Sequence, residues 1–192
     1  MEAIVLKRKY FEGMTDQEFF HFCQEYENLK IERDAQGNII LLLPPGADTG
    51  HKNIKITARL QVWSEKDGTG LAFDNNTGFT LSSQAMRSPD AAWLTLEKWN
   101  QLTAEQKEVF APVCPDFVIE LCSRTDQLKE AKQKMEEWIA NGCRLAWLID
   151  PVEEKAYVYR PDREPQVIPT FDATLSGDDV LAGFELDLRI LK

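Results

Sequence analysis

Between Phe117 and Pro151 the chain spells out one complete strand–helix–strand unit, and this tract restricts the architecture more than any other. Phe117-Val118-Ile119-Glu120-Leu121-Cys122 is a short apolar run of β character. Ser123-Arg124-Thr125-Asp126 follows as a helix cap, then a helical stretch from about Gln127 to Ala140, stopped by Asn141-Gly142. Arg144–Ile149 is a second apolar run. Strands joined by a crossover helix of this length are normally parallel neighbours in one sheet. An α/β class follows.

The flanking segments extend that unit. Asp16 is placed to cap a first helix carrying Phe19, Phe20, Phe22 and Cys23. Leu29–Glu32 and Ile39–Leu43 read as two strands turned at Gly37-Asn38. From about His51 to Lys66, Ile54, Ala58, Leu60, Val62 and Trp63 suggest a helix with one apolar side. Short strands are expected around Leu71–Phe73, Phe79–Leu81 and Asp90–Leu94, and a brief helix over Thr103–Phe110, where Thr103 and Gln106 form a capping-box pair. A strand over Ala156–Tyr159 and a tail complete the chain. The order is α-β-β-β-α-β, a mixed sheet preceded by an N-terminal helix and β-hairpin, and residues 1–192 read as a single domain.

Charge limits the partners. A net charge of −10 runs against tight binding of nucleic acid, which depends on Lys and Arg neutralising phosphates. No apolar run approaches the roughly 18 residues of a membrane span, and the charged start Met1–Lys9 does not suit a signal peptide. Cys23, Cys114, Cys122 and Cys143 lack zinc-type spacing, which points to reduced thiols and a cytoplasmic setting.

Two acids stand out. Asp90, after Pro89, opens the apolar run to Leu94, and Glu120 interrupts the apolar run from Phe117. A carboxylate in such a strand is costly unless it is paired, hydrogen-bonded or holding a metal. Alternation turns Val118, Glu120 and Cys122 to one face and Phe117, Ile119 and Leu121 to the other. On the following helix, Leu128, Ala131, Met135, Trp138 and Ile139 form the apolar stripe, with Lys134 on one edge and Lys132 on the other. Two acids, a hard cation and a lysine would suit phosphodiester hydrolysis. Taken singly, each has a plainer reading. Asp90 can be a turn acid, Glu120 an ion-pair partner of Lys134 or Arg144, and Lys134 a solvated helix residue. Glu32 reads as a solvent-facing strand acid, and His51 as a helix-start residue. Asp116, after Pro115, forms a rival motif but lies on the same strand as Glu120.

In order along the chain, these residues resemble the Uma-type family of restriction-endonuclease-like proteins in the PD-(D/E)xK nuclease superfamily. The matching residues are Glu32–Gly37 with Pro44-Pro45, His51, Ser88-Pro89-Asp90 and Pro115–Ser123. They continue with Asp126, the Lys134, Trp138 and Gly142 series, and Ala146–Pro151. The resemblance implies a restriction-endonuclease-like fold and a metal-dependent DNA endonuclease. It implies Asp90 and Glu120 as the metal-binding acids, Lys134 as the catalytic lysine, and Glu32 and His51 as further pocket residues. The implied cofactor is Mg²⁺, with Mn²⁺ as a substitute. The implied partner is weakly bound DNA, with room for a homodimer. The superfamily's usual lysine position is Cys122 here, and Lys134 on the next helix takes its place. The rival class is a nuclease fold acting as a non-catalytic interaction module, which Cys122 and the acidic charge favour.

Overall fold

The computed structural model describes residues 3–8, 13–124 and 127–192. Thr125 and Asp126, read above as part of a helix cap, lie outside the described residues, as do Met1, Glu2 and Lys9 of the N-terminal stretch. Strand β1 (Ala3–Leu6) precedes helix α1 (Asp16–Glu25), and the expected hairpin follows as β2 (Lys30–Arg33) and β3 (Ile39–Leu42). Its turn closes because the Asp34 carboxylate accepts from the Gln36 and Asn38 amides at 3.0 and 2.8 Å. Gly37 there takes a φ of +81°, which a side chain would resist. α1 is capped by Thr15 and not, as expected, by Asp16. Thr15 accepts from the Glu18 amide while the Glu18 carboxylate accepts from the Thr15 amide, so two helix-end donors are satisfied reciprocally. Asp16 instead pairs with Arg33.

Helix α2 (Ala47–Asp67) starts before His51 and ends at Gly68 in the left-handed conformation. Its buried side is Asn53, Ile56, Leu60 and Ser64, whereas Ile54 and Val62 are exposed. The apolar side expected from hydropathy is therefore rotated. Two polar residues occupy the inward face because each makes buried hydrogen bonds. Ser64 Oγ donates to the Gly70 carbonyl at 3.0 Å and accepts from Trp93 Nε1 at 3.1 Å.

The chain continues through β4 (Gly70–Phe73), β5 (Phe79–Thr80), β6 (Met86–Arg87) and β7 (Ala91–Thr95). Two short helices follow, α3 (Leu96–Gln101), which the sequence reading missed, and α4 (Ala104–Lys107), with the expected Thr103–Gln106 box. Then come β8 (Phe117–Leu121), α5 (Leu128–Ala140), β9 (Leu145–Asp150) and β10 (Lys155–Tyr159). The tail forms β11 (Gln166–Ile168), β12 (Thr174–Ser176), β13 (Glu185–Asp187) and a 3-10 turn over Leu188–Leu191.

The central sheet runs β11-β10-β9-β8-β7-β4. β8 and β9 are parallel and the other pairs antiparallel, so the sheet is mixed. The series α2, β4, β7, β8, α5, β9 is the expected α-β-β-β-α-β order. Alternation along β8 sorts the core: Phe117, Ile119 and Leu121 pack with Ile56 and Leu60 of α2 and with the tail, whereas Val118 and Cys122 pack with Met135 and Trp138 of α5. The strand expected near Phe79 belongs to a second, antiparallel sheet, β1-β3-β2-β6-β5. That sheet brings the hairpin beside the end of the central one.

A Cβ on Gly70 would stand 2.3 Å from the Trp93 indole and 2.5 Å from the Leu94 carbonyl. Trp93 is fully packed and its indole N–H is committed to Ser64, so neither neighbour can yield cheaply. Gly70→Ala should lose roughly 1–3 kcal/mol in a urea unfolding titration. A variant as stable as the parent would show that the Trp93 pocket relaxes.

Candidate active site

Ala91 of β7 and Ile119 of β8 are ladder partners. Asp90 precedes the first and Glu120 follows the second, so the two acids come side by side where that ladder ends. They line one cleft of about 450 Å³, walled by α5 and by the hairpin sheet. Asp90 is buried, with one carboxylate oxygen accepting from Asn53 Nδ2 at 3.1 Å and the other from the Leu121 amide at 2.8 Å. Glu120 Oε1 accepts from Trp138 Nε1 at 3.0 Å and lies 2.8 Å from the Lys134 ammonium.

Lys134 does not serve Glu120 alone. Its Nζ also lies 3.0 Å from Glu32 Oε1, and Glu32, at 2% exposure, is among the most buried acids described. The reading of Glu32 as a solvent-facing strand acid is thus corrected. β2 carries it into the cleft, where Arg87 Nη1 donates to Oε2 at 3.0 Å and the Ser88 amide to Oε1 at 3.1 Å. Arg87 then reaches Glu137 on α5 at 2.6 Å. The chain of charges Glu120–Lys134–Glu32–Arg87–Glu137 ties α5 to the hairpin sheet across the mouth of the central one.

These contacts push the acids in opposite directions. For Glu32, burial favours the neutral form, but Lys134 and Arg87 together outweigh it and hold the carboxyl at about 2. For Glu120, burial prevails, helped by the charges of Asp90 and Glu32 and only partly relieved by Lys134, so its pKa is raised. Burial alone would pull Lys134 down, yet Glu120 and Glu32 hold it above the ordinary lysine range. It is a permanent ammonium, suited to donating a hydrogen bond and not to accepting a proton.

Asp90, Glu120, Lys134 and Glu32 are thus brought together, whereas His51 is exposed on α2 and does not line the cleft. Two residues on, Asn53 is the α2 side chain that reaches Asp90. The rival Asp116 sits at the far end of β8, buried, accepting from the Thr95 amide at 3.0 Å and paired with Lys98 and Arg144. Of the two cations considered for Glu120, Lys134 therefore makes the pair and Arg144 does not. Cys122 cannot replace a lysine, and burial pushes its thiol up to about 12. Arg87, Glu137 and Asn53 were not singled out from the sequence. Arg87 directly precedes Ser88-Pro89-Asp90, and Glu137 stands one helical turn after Lys134, which are the signals that could have found them.

The donor set suits a hard divalent ion. Among the described residues the cleft is lined by six acids (Glu32, Asp34, Asp90, Glu120, Glu130, Glu137) against three bases (Lys30, Arg87, Lys134). Among the described residues, no three His, Cys, Asp or Glu side chains gather as a ready-made cage. Two carboxylates would leave the remaining positions to water and backbone, which is how Mg²⁺ is commonly held.

No match was found among curated proteins. Among solved structures, a "putative nuclease belonging to DUF820" from Anabaena variabilis superposes with a TM-score of 0.71 at 20% identity, over 88% of this chain and 95% of that one. At that identity the likeness speaks for the fold, which is that of the restriction-endonuclease-like proteins. The Uma2 family, described as "Putative restriction endonuclease", matches residues 16–189. That span takes in every element from α1 to β13, the acids and lysine of the cleft included, and the chain belongs to the Uma2 family.

Proposed function

We propose that the chain acts as one domain and is a divalent-cation-dependent DNA endonuclease that hydrolyses phosphodiester bonds, with Mg²⁺ as its ion and Mn²⁺ as a substitute. The observation that carries this reading is the placing of Asp90 beside Glu120 at one ladder end, with the Lys134 ammonium 2.8 Å from Glu120. Asp90 and Glu120 would hold the ion, which when bound polarises a phosphoryl oxygen and lowers the pKa of a water. Lys134, kept charged by Glu32 and Glu120, would donate to the attacking oxygen or to the phosphate and steady the charge that builds there. Trp138 keeps Glu120 aimed into the cleft, and the Leu121 amide does the same for Asp90.

Cation binding and cleavage test the reading together. Added Mg²⁺ or Mn²⁺ should raise the melting temperature by mass action. Protons compete for Glu120, whose folded pKa is raised, so the gain should be full once that carboxyl is ionised and should shrink as pH falls through its pKa. Nicking or linearisation of plasmid DNA is expected at low ionic strength, because the net charge of −10 makes any DNA affinity weak and quickly lost with salt. Absence of cleavage of single- and double-stranded DNA with either ion would leave the interaction-module reading as the better one.

A further inference from the structure

Asn53 sits on α2 with only 8% of its surface exposed, and its Nδ2 donates to Asp90 Oδ1 at 3.1 Å. Its own oxygen, Oδ1, is buried and has no hydrogen-bond donor among the described residues. A buried acceptor left unpaired is destabilising, and a helix that needed only to fill this place could carry leucine, which has nearly the same size. The orientation of the amide is dictated by Asp90, because the opposite one would set two oxygens against each other with nothing between them. A cation against Asp90 reverses that preference.

We propose that Asn53 is the third oxygen donor of the cation site, its amide turning about χ2 so that Oδ1 faces the ion shared with Asp90. The inference rests on the cation-binding reading above and adds to it a ligand from α2. The turn breaks a single hydrogen bond, gives Oδ1 a partner in the ion and moves Nδ2 to the position Oδ1 had held. Amide oxygens are ordinary ligands for hard divalent ions. Beside Asp90 a neutral donor also fits better than a third carboxylate. Asp90, Glu120 and Glu32 already repel one another there, and an amide adds a ligand without adding charge.

The test is calorimetric titration of Mn²⁺ alone, with thermal unfolding, on the full chain and on Asn53→Leu, Asn53→Asp and Asp90→Ala. Asn53→Leu, which takes a donor from buried Asp90, should melt somewhat lower than the parent without metal and bind Mn²⁺ about 10-fold more weakly or worse. Asn53→Asp should melt lower without metal, bind Mn²⁺ at least as tightly as the parent, and gain a larger Mn²⁺-induced rise in melting temperature. A side chain that only props Asp90 predicts weakened Mn²⁺ binding in Asn53→Asp, as in Asn53→Leu, since Asn53→Asp loses the donor and adds repulsion. Parental Mn²⁺ affinity in Asn53→Leu, or lost affinity in Asn53→Asp, would overturn the assignment of Asn53 alone, provided Asp90→Ala has abolished binding. Should the parent bind no Mn²⁺, or Asp90→Ala bind it as the parent does, the cation reading itself fails and this ligand with it. If Asn53→Leu does not fold, Asn53→Asp decides the matter.

Discussion

Replacing Glu32 with alanine should lower the unfolding free energy by about 3–5 kcal/mol, the usual cost of removing one partner from a buried charge pair. The change takes one carboxylate from between two buried cations. Arg87 would keep Glu137, and Lys134 would keep Glu120, but each would have lost a bond of 3.0 Å to a buried carboxylate. In a chain of this length the melting temperature should fall by roughly 6–20 °C. The effect has a pH signature. The folded pKa of Glu32, about 2, lies below its ordinary value of 4.5. The unfolded chain therefore takes up this proton first as the solution is acidified. The stabilisation from Glu32 is complete above about pH 4.5 and is lost as pH falls to about 2. The stability gap between parent and Glu32→Ala, followed by urea unfolding, should narrow across that window. A gap that is small at neutral pH, or constant down to acid, would mean that the network is solvated and loose.

Asp90→Ala and Glu120→Ala should each abolish cation-dependent cleavage, with losses on the order of 10³-fold or more. A divalent ion contributes several kcal/mol of transition-state stabilisation, and each acid supplies half of the charge that would hold it. Asp90 also accepts from the Leu121 amide at 2.8 Å, so Asp90→Asn, which keeps an acceptor there, separates loss of charge from loss of structure. Lys134→Ala should retain cation binding and cleave more slowly, because the lysine donates to the reacting groups without ligating the ion. Lys132→Ala is the control. Its ammonium lies 4.1 Å above the Tyr157 ring, away from the acids, and the variant should cleave as the parent does. Cleavage that survives in both acid variants would place the activity elsewhere in the protein.

The legible parts of this site share a cause. Asp90, Glu120 and Lys134 lie on a strand–helix tract and its antiparallel neighbour, where spacing says which side chains share a face, and the family resemblance chose Lys134 over Lys132. A carboxylate inside Phe117–Cys122 is conspicuous because burial without a partner is costly. The apolar stripe of α5 was readable for the same reason, with Met135 and Trp138 inward as periodicity required. Reading Trp138 as packing alone, however, missed its hydrogen bond to Glu120. The rotated face of α2 has a related origin, since inward Asn53 and Ser64 are polar residues whose partners lie on other elements.

From the sequence alone came the α-β-β-β-α-β order, the parallel β8–β9 pair and the hairpin turn, because local periodicity and turn chemistry determine each of these, whereas Asp90, Glu120 and Lys134 were grouped by the family resemblance. Only the tertiary structure decided that Glu32 is buried, that Arg87 and Glu137 complete its network, and that Asn53 and not His51 reaches Asp90. Glu32 and Lys134 are separated by about a hundred residues and meet only because the hairpin sheet docks against the end of the central one. An isolated charged residue on a short strand carries no mark of what will face it, since its burial is set by the packing of two sheets and a helix and not by its neighbours in the chain.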